Sequence, residues 1–235
     1  MDRVLARAEE EAVTLGRGGA DGIIVENFGD APFRTGRVDP ETVAAMTLAV
    51  QRVRQAVDLP VGINILRNDA ISAMSVAAVT GAAFIRVNIH YGVMAADEGL
   101  VHGEAFETLR QRRALGVEVK ILADVLVKHA VPLGSVDLGL LARETAYRGL
   151  ADGLIISGPV TGQPASADDV AVARKAVPEV FILVGSGVDE SNAAKLLVQA
   201  DGSIVGTSLK RDGIITNPID PERVRRMARI IQGLG

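Results

Sequence analysis

Short apolar runs rich in Val and Ile recur along the whole chain, and segments with helical spacing separate them. Seven runs have the length and composition of buried strands: Gly22–Glu26, Val61–Leu66, Phe84–Ile89, Val119–Val125, Gly153–Ser157, Val180–Val184 and Ser203–Gly206. No hairpin signal joins any two of them. Strands that alternate with single helices predict an α/β fold with one parallel sheet and right-handed crossovers.

Two architectures accommodate seven such strands: a (β/α)8 TIM-type barrel that has lost one strand, and an open doubly wound sheet. A doubly wound domain opens with a strand and a glycine-rich turn, whereas this chain opens with the predicted helix Asp2–Gly16. We therefore expect the barrel, with its first strand missing from this chain. The 235 residues form one domain, 1–235, since this length suits a single large α/β unit.

The tripeptide Ala-Asp-Gly leads into three of the runs, with its Ala at positions 20, 151 and 200. Each copy lies where a helix ends and a strand begins, and Gly supplies the permissive backbone of that turn. The residues after each run lie at the carboxyl end of a strand, where parallel α/β folds carry their chemistry. Those endings differ: Glu26-Asn27, Ser157-Gly158 and Gly206-Thr207-Ser208.

Charge and cysteine content exclude several functions. A formal net charge of −4 lacks the basic face that nucleic acids need, so we expect no nucleic-acid partner. Without Cys there is no disulfide, thiolate zinc site or cysteine nucleophile. The amino terminus is too charged for a signal peptide, and the longest uncharged run, Ala70–Ile85, is too short to span a membrane. We expect a cytoplasmic protein, for which peripheral membrane association stays open.

Glycine-rich turns come after the last two runs, in the segments Val184–Val188 and Ile204–Lys210. In (β/α) barrels the loops after the last two strands commonly bind phosphate through backbone N–H groups. The alternative is that both are simply tight turns. The predicted phosphate-binding residues are Gly185, Ser186, Gly187, Gly206, Thr207 and Ser208.

Candidate acid/base residues end the fourth run, where Asp124 is followed by Lys128 and His129. An Asp can orient a neighbouring Lys or His, and either can transfer a proton near neutral pH. The alternative is a surface Lys–His pair beside a capping or salt-bridging Asp. Glu26 is the fourth candidate catalytic residue.

Polar side chains also end the first three runs, where an aliphatic sheet normally has apolar residues. We predict that they bind substrate, with Arg67 and Arg86 facing an anion and Asn side chains facing hydroxyls; paired networks inside the barrel are the alternative. The candidates are Asn27, Asn64, Arg67, Asp69, Arg86 and Asn88. The carboxylates of Glu26, Asp30, Asp69 and Asp124 could bind a divalent metal, but no motif spacing indicates one, so we assign no metal ligand and leave the cofactor unknown.

The chain resembles the BtpA/SgcQ family of predicted (β/α) barrel proteins. Seven segments carry the resemblance: GADGIIVENFGDAPF, VGINILRNDA, AAFIRVNI, ILADVLVKHA, TGQP, LVGSGV and ADGSIVGTSLKRDG. The resemblance implies a barrel and, from the family name, a role in photosystem I biogenesis or stability. It also implies an earlier strand, with a His-Leu and a Pro-Leu-Pro-Gly segment, that this chain lacks; we expect the reading frame to continue upstream of Met1.

These observations predict a metabolic enzyme that acts on a phosphorylated small molecule, a sugar or nucleoside phosphate, by acid/base chemistry. Isomerisation through proton transfer and cleavage at a sugar phosphate are the reactions to test. A Schiff base at Lys128 is less favoured because Lys128 is expected in a loop. The alternative function is a non-catalytic assembly factor. We expect a homo-oligomer in either case.

Overall fold

A computed structural model describes residues 1–134, 137–158 and 165–234. Its strands are β1 (Ile23–Glu26), β2 (Val61–Asn64), β3 (Phe84–Val87), β4 (Val93–Ala96), β5 (Gly99–His102), β6 (Lys120–Leu126), β7 (Ala130–Pro132), β8 (Gly153–Ile156), β9 (Phe181–Val184) and β10 (Gly202–Ser203). The helices are α1 (Asp2–Gly18), α2 (Pro40–Ala56), α3 (Ala70–Thr80), α4 (Ala105–Leu115), α5 (Leu138–Arg143), α6 (Ala167–Ala176), α7 (Ala193–Leu196) and α8 (Pro221–Gln232). The family segment TGQP, residues 161–164, lies outside the described residues.

Seven strands form one curled parallel sheet in the order β1-β2-β3-β6-β8-β9-β10. This order follows the chain throughout, whereas the order of a doubly wound sheet reverses at a switch point. The fold is therefore of the (β/α) barrel type. Within the described residues, β1 and β10 each pair on one side only, and they are the two edges of the sheet.

All seven predicted strands are present, most of them one or two residues shorter than the apolar runs. Residues trimmed from their carboxyl ends, such as Ile65 and Leu66, stay buried but turn out of the ladder. Side-chain caps hold the starts of helices α6 and α8. Ser166 Oγ accepts a hydrogen bond from the Asp169 N–H at 3.0 Å, and the Asp220 carboxylate accepts from two N–H groups of α8.

In two of the Ala-Asp-Gly turns, the Asp side chain hydrogen-bonds to the neighbouring strand of the parallel sheet. The Asp152 carboxylate, ahead of β8, accepts from the Ile121 N–H of β6 at 2.9 Å and from Arg112 of α4 at 2.6 Å. The Asp201 carboxylate, ahead of β10, repeats the arrangement with Ile182 of β9 and Arg174 of α6. These turns are stabilising elements at the amino ends of the strands.

The core is aliphatic and lies between the parallel sheet and the surrounding helices. One cluster joins α1, α2 and α3 to β1, β2, β3 and β6, and a second joins α5, α6, α7 and α8 to β6, β8 and β9. Helix α1 packs against both α2 and α8. A Cβ at Gly18 would stand 2.3 Å from Val224 Cγ1 of α8, so this contact requires a glycine.

The structure also contains a hairpin that lies outside the seven predicted runs. Strands β4 and β5 form an antiparallel hairpin, and β7 pairs with the other edge of β4. We call this three-stranded unit the cap sheet. It connects the segments after β3 and β6, at the carboxyl end of the parallel sheet, and its inner residues Met94 and Val101 pack on Ile89 and Val127.

Candidate functional site

A buried ion pair occupies the centre of the carboxyl end of the parallel sheet. Arg86 of β3 donates from Nε and Nη2 to the two carboxylate oxygens of Asp124 on β6, at 3.0 and 3.1 Å. Asn88 Nδ2 and Ser157 Oγ donate to the same carboxylate at 3.0 and 2.9 Å. Asp124 therefore accepts four hydrogen bonds, two of them from the Arg86 guanidinium in the two-pronged geometry that guanidinium and carboxylate prefer.

Glu26 extends this network to β1 and is its more accessible carboxylate. Its Oε1 accepts from Asn64 Nδ2 at 2.9 Å and from Arg86 Nη1 at 3.3 Å. The Glu26 side chain is 27% exposed, against 0% for Asp124. Burial alone would lower the pKa of Arg86, but Asp124 and Glu26 together outweigh burial and raise that pKa. Arg86 is thus a permanent cation that two carboxylates neutralise.

Lys128 lies beside this network without a carboxylate of its own. It comes two residues after β6 and is partly buried, and no described carboxylate lies within ion-pair distance of its ammonium. Burial lowers the pKa of Lys128, and the charge of Arg86 lowers it further, against the opposing effect of Asp124 and Glu26. A lysine with a lowered pKa is a candidate proton-transfer group.

His129 is exposed and has a left-handed backbone, with φ of 57°. It connects Lys128 to strand β7 of the cap sheet. Its predicted acid/base role stays a prediction.

The first glycine turn borders the same network. A Cβ at Gly185 would stand 2.4 Å from Ser157 Oγ and 3.6 Å from Asp124 Oδ1, so only glycine fits there. Gly187 has a left-handed φ of 68°. Ser186 is buried, and its Oγ accepts from the Gly158 N–H at 3.1 Å. Ser186 Oγ is only an acceptor in this contact, so its O–H group can still donate, and the predicted phosphate contact stays a prediction.

The second glycine turn opens a single turn of 3-10 helix over Thr207–Leu209. Ser208 Oγ donates to the Val188 carbonyl at 2.7 Å and so joins the two turns. Within the described residues, the N–H groups of Gly187, Gly206 and Thr207 have no acceptor. The predicted anion site therefore retains backbone donors and the hydroxyls of Thr207 and Ser186, whereas the Ser208 hydroxyl already donates to Val188.

Three of the predicted substrate ligands have structural contacts. Asp69 is fully buried, caps α3 through the Ser72 N–H at 2.9 Å and holds the Val38 N–H at 2.8 Å. Asn27 is also buried, and its Oδ1 accepts from the Leu66 N–H at 2.7 Å. Asn64 donates to Glu26. The polar atoms of Asp69 and Asn27 thus hold backbone of α3 and of the adjoining loops, and their predicted substrate binding stays a prediction.

Arg67 remains as a predicted anion ligand near Lys128. It is buried, and its Nη2 donates to the Lys128 carbonyl. Its Nε lies 3.5 Å from the Glu98 carboxylate. Glu98 and Ser157 are site residues that were not predicted: Ser157 was visible only as one of the strand endings, and Glu98 lies in the unpredicted hairpin.

The described residues contain no group of three or more His, Asp or Glu side chains that could hold a metal ion. None of the helices in residues 1–134, 137–158 and 165–234 combines the length and apolar character that a membrane span requires.

Comparisons with known proteins agree with this fold. The chain is 55% identical over 224 residues to the photosystem I biogenesis protein BtpA of Synechocystis sp., an alignment that covers 95% of this chain and 78% of the relative. It is 32% identical to the putative sgc region protein SgcQ of Escherichia coli K12, over 95% of this chain and 83% of the relative.

Among solved structures, N-(5'-phosphoribosyl)anthranilate isomerase from Pyrococcus furiosus superposes with a TM-score of 0.60 at 16% identity, over 95% of this chain and 94% of that chain. At this identity the likeness establishes the barrel-type fold alone. The model of the BtpA family matches residues 1–233, and the chain therefore belongs to the BtpA family.

Proposed function

We propose that this protein is an enzyme that acts on a phosphorylated small molecule and that Lys128 transfers the proton. The observation that carries the proposal is that Lys128 has no carboxylate partner among the described residues and has a pKa lowered by burial and by Arg86. Its neutral form is therefore more accessible near neutral pH than that of a surface lysine, which is what a general base requires.

Each group of the network has a distinct role in this proposal. Asp124 and Arg86 position the site and fix its electrostatics, because their hydrogen bonds are already satisfied by each other. Glu26 is the second proton-transfer candidate, since its side chain is partly exposed. A substrate hydroxyl can donate to Asn88 Oδ1, a buried acceptor that lacks a partner among the described residues.

The phosphate binds at the two glycine turns. Gly187, Gly206 and Thr207 supply backbone N–H donors, and the turn at Gly185 contacts the network that surrounds Arg86 and Asp124. The adjacency brings a bound phosphate and the proton-transfer groups into one site. The fold neighbour from Pyrococcus furiosus acts, by its name, on a phosphoribosyl compound, which supports a sugar or nucleoside phosphate as substrate.

Thermal melts with inorganic phosphate and ribose 5-phosphate test the phosphate site. A ligand at about 100 times its dissociation constant adds about 2.7 kcal/mol of stability, which raises the melting temperature of a chain of this size by roughly 5–10 °C. We expect Gly187→Asp to abolish the shift, because it adds a side chain and a like charge. Gly116→Asp is the control, since Gly116 has a similar φ of 63° but ends α4 at the opposite end of the strands. An equal shift in both variants, or none in the unaltered protein, argues against the site.

A second candidate is an assembly factor, as the name of the Synechocystis relative suggests. The specific observation in its favour is the outer face of the cap sheet, where Leu100, Val131 and Leu133 are exposed. Leu100 and Val131 both lie opposite Ala95, so they form one apolar row. A metabolite screen on the purified protein separates the two proposals, because the assembly factor predicts no selective small-molecule binding.

A further inference from the structure

Arg67 and Glu98 form a buried but poorly matched ion pair at the carboxyl end of the sheet. Their side chains are 9% and 13% exposed. Arg67 Nε lies 3.5 Å from Glu98 Oε2, and neither atom makes a hydrogen bond with a described residue. Arg67 Nη2 donates to the Lys128 carbonyl, so the guanidinium lies beside the proposed proton-transfer lysine.

The Arg86–Asp124 pair provides a reference within the same molecule. That pair makes two hydrogen bonds of 3.0 and 3.1 Å, the two-pronged geometry that guanidinium and carboxylate prefer. Glu98 lies within ion-pair distance of Arg67, but no hydrogen bond joins Arg67 Nε to Glu98 Oε2. A buried arginine with an unpaired N–H is costly, and a better placed carboxylate would satisfy it.

Glu98 also lies outside the parallel sheet, in the separate cap sheet. It lies in the two-residue turn between β4 and β5, ahead of Gly99, whose φ is 112°. Withdrawal of this turn would break no hydrogen bond of the seven-stranded sheet. Of the three cations nearby, Arg86 already has two carboxylates, whereas Arg67 has only Glu98 and Lys128 has none among the described residues.

We propose that Arg67 forms the binding site for a carboxylate of the substrate and that Glu98 occupies this site in the free protein. The side chain of Glu98 stands in for the ligand carboxylate, which replaces it when the hairpin turn moves away. This inference rests on the proposed function and narrows it, because the substrate becomes a phosphorylated acid such as a sugar acid phosphate.

The test compares three probes that differ only in their charged groups. 6-Phosphogluconate carries a phosphate and a carboxylate, sorbitol 6-phosphate lacks the carboxylate, and gluconate lacks the phosphate. We expect 6-phosphogluconate to raise the melting temperature by roughly 3 °C or more beyond sorbitol 6-phosphate at equal concentration.

Substitutions identify the carboxylate site. Glu98→Gln removes the internal competitor and should raise the affinity for 6-phosphogluconate roughly tenfold, without changing that for sorbitol 6-phosphate. Asp97→Asn is the matched control, since Asp97 is the neighbouring acid in the same turn and is more exposed than Glu98. The double variant Arg67→Gln with Glu98→Gln should lose the carboxylate-dependent gain while keeping a neutral, hydrogen-bonding pair that favours folding.

The outcomes separate this inference from the proposed function. The carboxylate site is wrong if Glu98→Gln is stabilised no more by 6-phosphogluconate than by sorbitol 6-phosphate, and no more by gluconate than by buffer alone. This holds even where phosphate compounds bind. If gluconate stabilises Glu98→Gln in an Arg67-dependent manner while no phosphate compound does, the carboxylate site stands and the phosphorylated substrate is wrong. An equal gain in Asp97→Asn would overturn the role of Glu98.

Discussion

Lys128 is the residue on which the proposed chemistry depends most directly. We expect Lys128→Met to lower turnover by roughly 10²–10⁴-fold, the usual contribution of a general base, while binding of the phosphorylated substrate stays largely intact. His129→Ala tests the second predicted proton-transfer group in the same assay. Steady-state kinetics on the substrate found by a metabolite screen provide the measurement. Full activity in both variants would mean that neither residue transfers the proton, and Glu26 would then be the candidate.

The lowered pKa of Lys128 also predicts a pH-dependent effect on stability. Since burial lowers this pKa in the folded protein below the ordinary value of 10.5, the unfolded chain binds more protons than the folded protein between the two values. The free energy of unfolding contributed by Lys128 therefore rises with pH across this window, and the charged lysine destabilises the fold below it. Lys128→Met should stabilise the protein at pH 7, and the gain should shrink as the pH approaches 10.5.

Urea unfolding at pH 7 and pH 10 measures this effect. Lys175→Met is the control, because Lys175 is exposed and has no ion pair with a described residue. A Lys128 variant that matches the Lys175 variant at both pH values would show that Lys128 is not destabilising in its charged form.

Asp124 should be the most sensitive residue of the network for stability. Asp124→Asn leaves Arg86 with Glu26, at 3.3 Å, as its one carboxylate partner among the described residues, and breaking a buried ion pair from one side costs about 3–5 kcal/mol. Glu26→Gln should cost much less, because Glu26 is partly exposed. Chemical denaturation measures the free energy of unfolding of the two variants. An equal loss in both would mean that the deeper burial of Asp124 does not make its ion pair with Arg86 more important for stability.

Most residues of this network are predictable from the sequence, but their contacts with one another are not. Arg86, Asn88 and Asp124 were recognisable because polar residues interrupt aliphatic strands, which requires partners or a ligand. Which partner each one has depends on the order of strands in space. Asp69 is an example, because one of the backbone N–H groups that it accepts belongs to Val38, 31 residues earlier in the chain.

At the scale of elements, the Ala-Asp-Gly turns allow a prediction with an internal control. Asp152→Ala removes an acceptor for the Ile121 N–H and a partner of Arg112, so we expect a loss of about 1.5–3 kcal/mol, as for hydrogen bonds to charged groups. Asp21→Ala changes the same position of the first copy, where Asp21 is exposed and its side chain makes no hydrogen bond or ion pair with a described residue. Its cost should stay within about 0.5 kcal/mol, and urea unfolding measures both.

The parallel strands were predictable from sequence and the cap sheet was not, for one physical reason. A strand of a parallel sheet is buried on both faces and leaves a continuous apolar run. The hairpin strands β4 and β5 have four residues each and are buried on one face only, so Met94 and Val101 are the whole inward pattern. Two apolar residues are too few for alternation to be visible, and the Asp97–Glu98 turn lacks the Asn-Gly or Asp-Gly signal.

For the whole molecule, the first and last helices pack against each other, whereas the first and last strands of the parallel sheet do not pair. Helix α1 packs against α8 through Gly18 and Val224, so the last helix of the chain is a neighbour of the first in the outer helix layer. The sheet does not continue there, because β1 and β10 do not pair with each other in the described residues. Sheet edges with unpaired N–H and C=O groups are sites of association, which a closed barrel avoids.

The Ala-Asp-Gly repeat indicates what the edge at β1 is suited to bind. Asp152 and Asp201 each accept an N–H near the start of the strand that precedes theirs in the sheet. By the same geometry, Asp21 is placed for the N–H of a strand on the open side of β1. We therefore expect a form extended upstream of Met1 by the strand that the family resemblance implies to melt at a higher temperature and to aggregate less than the 235-residue chain.

The cost of Asp21→Ala tells whether such a strand binds in this place. In the extended form it should rise to the roughly 1.5–3 kcal/mol expected for Asp152→Ala, because Asp21 then accepts a buried strand N–H; in the 235-residue chain it should stay small. Urea unfolding and size-exclusion chromatography of both forms, each with and without the substitution, measure stability and association together. If the extended form is no more stable and Asp21→Ala costs the same in both, a strand does not pair with β1, and the seven-stranded sheet is complete with two open edges.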